Sequence, residues 1–128
     1  MRQSTTHGVS VSVESSFRGT SGKKQQFKYV FDYKITIQNL NPYEIQILSR
    51  YWFVFGCNLR ISEINGEGVV GQTPKLKTNE IFTYSSCSFL TSEMGYMEGY
   101  YSLLNLEDHS LFEIDIPRFE LIADWKLN

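Results

Sequence analysis

The strongest pattern in the chain is a strict alternation of apolar and polar positions. From Phe27 to Ile37 the odd positions hold Phe27, Tyr29, Phe31, Tyr33, Ile35 and Ile37, and the even positions between them hold Lys28, Val30, Asp32, Lys34 and Thr36. A repeat of two over this length predicts a strand buried on one face. Val9, Val11 and Val13 alternate with Ser10, Ser12 and Glu14, which predicts another. Ile45 to Phe55 is apolar on both faces, contains Trp52, and reads as a central strand. A turn cluster at Asn39–Pro42 precedes it, and Gly56 and Asn58 mark a turn after it. Leu59–Ile64 alternates again and is expected to return as the hairpin partner. Further strands are expected at Ile81–Tyr84, Tyr100–Leu106 and Leu111–Ile116, the last two separated by a turn at Glu107–Ser110. Pro117 is expected to bend the chain into Phe119–Ile122, since proline suits a strand start or an edge. Ser15–Gly22 reads as a long hairpin loop, Gly66–Gly71 as a glycine-rich loop continued by Gln72-Thr73-Pro74, and Lys77–Asn79 as a turn. Residues 85–95 read as irregular, and Trp125–Asn128 as a tail that frays or docks.

Eight or nine short strands with turns between them, and no segment combining helical period with caps, make an all-β protein. The expected architecture is an antiparallel β-sandwich. The chain has 128 residues, the size of a single domain spanning 1–128, with its core at about 8–122. Hydrophobic residues are 41% and charged residues 20%, which excludes intrinsic disorder for the bulk of the chain. No apolar run approaches ~18 residues, so no membrane span is expected. The N-terminal stretch lacks the apolar core of a signal peptide, and a cytoplasmic location is expected.

The net charge of −2 hides an uneven spread. Residues 1–60 carry eight Lys and Arg against three Asp and Glu, a net of +5, while residues 61–128 carry four against eleven, a net of −7. A basic face for anionic partners is one reading. The plainer one is that strands from both halves interleave in a sandwich and the charges mix. No basic run exceeds Lys23-Lys24, so nucleic acid is not an expected partner. Cys57 and Cys87 each lie near or inside an apolar stretch and are expected as reduced, buried hydrophobes rather than a disulfide. With His7 and His109 they lack the paired spacing of a zinc site. No metal and no cofactor are expected.

The candidate chemistry centres on Gly66-Glu67-Gly68-Val69-Val70-Gly71, a GxGxxG spacing. In dinucleotide-binding folds that spacing needs a helix after it, whose N-terminus holds the pyrophosphate. Here Pro74 and the strand-like Leu76–Tyr84 stretch occupy the helix position, and Glu67 would repel phosphate. Two readings stay open: glycines that permit positive φ and close strand contacts, or a loop exposing amides to an anion. No catalytic constellation is found. Glu113 and Asp115 alternate with Phe112, Ile114 and Ile116 and read as a solvated strand face. Tyr96, Tyr100 and Tyr101 read as core or surface stacking, with a binding surface as the rival.

From Tyr29 onward the sequence resembles the ApaG family. The matching stretches are YVFDYKITIQN (29–39), LSRYW (48–52), GEGVVG (66–71), EIFTYSS (80–86), GYMEGYYSL (95–103) and FEIDIPRFEL (112–121), in the family's order. The opening VSVSVESSF also fits. The resemblance implies a fibronectin type III-like or immunoglobulin-like sandwich. It implies a cytoplasmic protein without an accepted biochemical activity, linked genetically to cobalt resistance and magnesium efflux. Related domains in F-box proteins are taken as protein-interaction modules, and the glycine motif has prompted proposals of nucleotide or pyrophosphate binding. This chain departs from the family's RHW with Arg50-Tyr51-Trp52 and has Asn65 where a basic residue is usual. It also has Thr78-Asn79-Glu80 for a PGE turn and Ser92-Glu93 for a TP pair. The first two changes remove groups that would assist an anion site. Arg50, Gly66, Gly68 and Gly71 remain the candidate ligand contacts.

The expected function is therefore a non-enzymatic protein-interaction or binding module, with any cobalt or magnesium effect indirect. The alternative is a small-ligand binder holding phosphate, pyrophosphate or nucleotide at the glycine loop, with Arg50, Lys75 and Lys77 supplying charge. Direct handling of Co²⁺ or Mg²⁺ would need converging oxygen ligands that spacing does not assemble. A protein partner is expected, and homodimerisation through an exposed edge strand is compatible with a sandwich.

Overall fold

The alternating runs pair into two antiparallel sheets, seen in a computed structural model that describes residues 1–22, 28–57 and 59–123. The strands are β1 (Arg2–Thr6), β2 (Val9–Ser21), β3 (Lys28–Asn39), β4 (Ile45–Gly56) and β5 (Leu59–Glu67). They continue as β6 (Lys75–Leu76), β7 (Ile81–Leu90), β8 (Met94–Asn105) and β9 (Leu111–Ile122). The first sheet has the order β1-β2-β3-β7, the second β5-β4-β8-β9, with β6 also paired to β4. No helix is long and apolar enough to cross a membrane among the described residues.

Period-two burial follows the sequence pattern. Val9, Val11, Val13, Phe31, Ile35 and Ile37 from the first sheet face Ile45, Ile47, Trp52, Val54, Met97 and Leu103 from the second, and all are buried. Each such side chain contributes about 1.5–3 kcal/mol when fully buried, which fixes strand register against a one-residue slip. Tyr33 packs on Trp52 and Phe119, with ring centroids 5.6 Å from each. The buried polar residue Asn39 locks the crossover between sheets. Its Nδ2 donates to the carbonyls of Tyr43 and Leu76, both at 2.9 Å, and its Oδ1 accepts from the Asn41 amide.

Several expectations need correction. Ser15–Ser21 is not a loop but the outer half of β2, paired with β3 across a bulge between Phe17 and Gly19. The register runs on because β3 offers a partner, which outweighs the weak strand propensity of serine and glycine. Residues 85–95 are not irregular: β7 continues to Leu90 and β8 begins at Met94. Pro117 does not split the last segment. It sits in a register shift of the continuous strand β9, on the sheet edge where a missing N–H costs no ladder bond. β1 carries only Arg, Gln, Ser and Thr, which gave no apolar signal, and the two-residue β6 was equally silent. Cys57 is exposed and Cys87 half-buried, both as free thiols, so neither is a buried hydrophobe. Phe27, Asn58 and Trp125–Asn128 lie outside the described residues.

Candidate functional site

The glycine segment begins in a strand. Gly66 and Glu67 end β5, where Gly66 pairs with Arg50 and Glu67 with Ser49. Only from Gly68 does the chain turn away, and it returns as β6 on the same flank of β4. The pivot is a two-residue turn. Val69 N–H donates to the Gln72 carbonyl at 2.8 Å and Gln72 N–H to the Val69 carbonyl at 3.0 Å, with Val70 and Gly71 at φ 44° and 77°. Two consecutive positive φ values define a type I′ turn. Val69 is fully buried and anchors the turn in the core, while Val70 projects at its tip with about half its surface exposed.

The amides here are engaged with protein. Gly68 N–H donates to the Leu48 carbonyl at 2.6 Å. Leu48 is the residue skipped by the register shift between Ile47 and Ser49 where β4 pairs with β8. Arg50 reaches across from β4, and its Nη1 donates to the carbonyls of Glu67 and Gly68, both at 3.0 Å. A Cβ on Gly66 would come within 2.8–2.9 Å of that guanidinium, so glycine there makes room for it. A Cβ on Gly68 would lie 2.0 Å from the Gln72 carbonyl oxygen. Among the described residues no carboxylate forms an ion pair with Arg50. The structure thus brings Arg50, Gly66 and Gly68 together and leaves Gly71 at the turn, with nothing within 4 Å of its would-be Cβ.

Beside Arg50, inside the sandwich, stand three tyrosines. The hydroxyls of Tyr84 and Tyr101 hydrogen-bond to one another. Burial pushes both phenols well above the ordinary tyrosine value, and Tyr33 is raised for the same reason. The nearby Arg50 charge acts on all three in the opposite sense, more weakly. A neutral hydroxyl pair is what such burial permits.

Of the three tyrosines that the sequence offered as a rival binding surface, Tyr96 and Tyr100 lie on the outer face of the second sheet, beside rings the sequence did not connect with them. Tyr51 on β4 stacks on Tyr100 of β8 at 4.5 Å between centroids, and Phe55 stacks on Tyr96 at 4.6 Å. Phe53 lies between them, 6.5 Å from Tyr100. All five rings are half-buried. Tyr101, by contrast, is fully buried on the opposite side of the sheet. The register sets carboxylates around the rings: Glu63 and Glu98 flank Phe53, Asp115 lies opposite Tyr100, and Glu67 and Glu113 complete the next row through Ser49 and Ser102. Tyr100 is raised above the ordinary tyrosine value, by desolvation first and then by the charge of Glu113, by Tyr51 and by Glu63. Arg118 is seated here, its guanidinium carbon 4.2 Å from the Tyr96 centroid, with Nε and Nη2 donating to Glu98 at 3.1 and 3.3 Å. Strands of both halves share each sheet, β4 in the second and β7 in the first, but the acidic side chains are unevenly spread. Glu63 and Glu67 on β5, Glu98 on β8 and Glu113 and Asp115 on β9 gather on one sheet, because the acidic half of the chain supplies three of its four long strands. No group of three or more metal-ligating side chains converges among the described residues.

Two sheets joined by crossovers, with a pinned glycine turn at one edge, define an all-β sandwich of the fibronectin type III or immunoglobulin kind. Comparison with known proteins makes the assignment specific. Residues 19–105 match the ApaG domain. Protein ApaG of Proteus mirabilis is 36% identical over 124 residues, covering 97% of this chain and 98% of that one. Protein ApaG of Brucella anthropi is 39% identical over 121 residues, covering 94% and 92%. Among solved structures, a structural genomics target matches with a TM-score of 0.87 at 30% identity, covering 92% of this chain and 89% of that one. A Bordetella pertussis protein named as ApaA matches with 0.83 at 33% identity, covering 91% and 94%. The chain belongs to the ApaG family.

Proposed function

We propose that this protein is a non-catalytic interaction module that binds a protein partner through the outer face of the β5-β4-β8-β9 sheet. The observation that supports it is the aromatic stripe of Tyr51, Phe53, Phe55, Tyr96 and Tyr100, presented half-exposed on a rigid sheet. Aromatic side chains bring large contact area at low entropic cost and are enriched at binding surfaces. The link to cobalt resistance and magnesium efflux is read as indirect, through whatever partner the module engages. The test is photo-crosslinking in cells, with a benzophenone amino acid placed at Phe53 or, on the opposite sheet, at exposed Thr83. Adducts from Phe53 and none from Thr83 are expected. No adduct at Phe53, or equal yields from both, sinks the reading.

A second reading, an anion at the glycine turn, is favoured by one observation. Arg50 is a half-buried guanidinium without a carboxylate partner among the described residues. Against it, the Gly68 and Val69 amides and Arg50 Nη1 are already bound to carbonyls. Calorimetric titration with pyrophosphate decides it. A dissociation constant below about 100 μM that is lost in Arg50→Gln supports an anion site. A flat trace leaves the loop as architecture.

A further inference from the structure

We infer that the outer face of the β5-β4-β8-β9 sheet receives an extended basic segment of a partner protein, with an arginine or lysine side chain lying between Phe53 and Tyr100 against Asp115. The inference rests on the interaction-module reading and supplies the chemistry of its partner.

Three observations on one face carry it. The first is its charge. The rings are bordered by Glu63, Glu67, Glu98, Glu113 and Asp115, and among the described residues neither Glu113 nor Asp115 has an ion-pair partner. Such a border repels acidic peptides, phosphates and nucleic acids and attracts cations. The second is a worked instance within the chain itself. Arg118 lies over Tyr96 and is held by both carboxylate oxygens of Glu98. That arrangement combines cation–π attraction with a bidentate ion pair, which is how this surface holds a guanidinium. The third is a repeat of the same elements further along β8. Tyr100 is directly opposite Asp115 in the ladder, and a depression of about 250 Å³ opens between Phe53, Glu98, Tyr100 and Asp115. The following row sets Ser102 opposite Glu113. Rows on one face of a strand repeat every two residues, about 6.8 Å, which is also the spacing of alternate side chains in an extended peptide. Basic residues at positions i and i+2 of an extended segment therefore meet Asp115 and Glu113 in turn.

The experiment uses the full chain, isotopically labelled, and two synthetic heptapeptides. One alternates serine with arginine and the other serine with glutamate. The arginine peptide is expected to shift the resonances of Phe53, Tyr100, Glu113 and Asp115 saturably, and to weaken with added salt. Binding is expected to weaken at least about fivefold in the Glu113→Gln, Asp115→Asn double variant. Both side chains are exposed and, among the described residues, without an ion pair, so the variant is expected to fold, and its amide spectrum verifies this. The proposal is overturned by shifts located elsewhere, by equal binding of the glutamate peptide, or by unchanged affinity in the double variant. If Phe53 crosslinks to a partner in cells while the arginine peptide leaves the face unperturbed, the basic segment is wrong and the module reading survives. If neither occurs, both fall. An adduct at twice the chain mass makes a second copy the occupant and overturns the proposed partner.

Discussion

Val70 is the most strained residue of the family motif. A β-branched side chain at φ 44° is a steric outlier, because Cβ crowds the following carbonyl in the left-handed region. The first position of a type I′ turn favours asparagine or glycine. Val70→Asn is therefore expected to raise stability by about 1 kcal/mol, read as a higher urea midpoint with an unchanged slope. An unchanged or lowered midpoint would refute the strain. Gly68 and Gly71 both have positive φ, yet they differ in surroundings. Gly71→Ala is expected to cost about 1 kcal/mol from backbone strain alone. Gly68→Ala adds a contact of 2.0 Å with the Gln72 carbonyl oxygen and is expected to cost clearly more. Equal losses at the two sites would mean that the loop relaxes around a side chain. Asn79, at φ 69°, shows the same logic satisfied, since asparagine tolerates this region where the family pattern has glycine.

At the scale of elements, β7 and β8 meet across the interior through Tyr84 and Tyr101. Both phenols titrate higher in the folded state than the value near 10 they take when unfolded. Below pH ~10 both states are protonated and this contribution is fully present. Above it the unfolded chain loses protons first, so it binds fewer than the native state and stability falls as pH rises. The expected slope is up to about 1.4 kcal/mol per pH unit for each phenol. Urea unfolding from pH 8 to 11.5 should be flat and then fall beyond pH 10. The double variant Tyr84→Phe, Tyr101→Phe should fall less steeply. Removing both hydroxyls avoids leaving one buried without its partner. An identical slope in the variant would show that other groups carry the alkaline loss.

For the molecule as a whole, the topology converts an asymmetry along the chain into an asymmetry between sheets. The acidic second half supplies β5, β8 and β9, and only β7 departs to the first sheet beside β3. The basic first half supplies β1, β2 and β3, where Arg18 pairs with Asp32 and Lys34 lies beside Glu14 in the register. One outer face is therefore nearly balanced and rich in hydroxyls, and the other is aromatic with an acidic border. The crosslinking comparison of Phe53 with Thr83 contrasts these two faces. The arginine and glutamate peptides then address the sign of charge on the aromatic one.

The sandwich was readable from period-two alternation, because one buried face forces apolar residues into every second position. Val9–Val13 and Phe31–Ile37 carried that signal directly, while Ile45–Phe55, apolar on both faces, read as a central strand; the family resemblance drew also on GEGVVG (66–71), EIFTYSS (80–86), GYMEGYYSL (95–103) and FEIDIPRFEL (112–121). What alternation could not show was pairing without burial. The polar β1, the serine-rich end of β2 and the start of β8 are strands because a neighbour supplies hydrogen bonds, not because their own residues demand it. The candidate glycines were legible as a motif, but their roles were not. Only the fold places Arg50 over Gly66, and the Gln72 carbonyl where a Cβ of Gly68 would stand. The aromatic and acidic face showed only in fragments, Tyr96 with Tyr100 and Glu113 with Asp115, for a related reason. Its residues lie far apart along the chain and become neighbours through the registers of four strands, which are set by buried side chains on the opposite face.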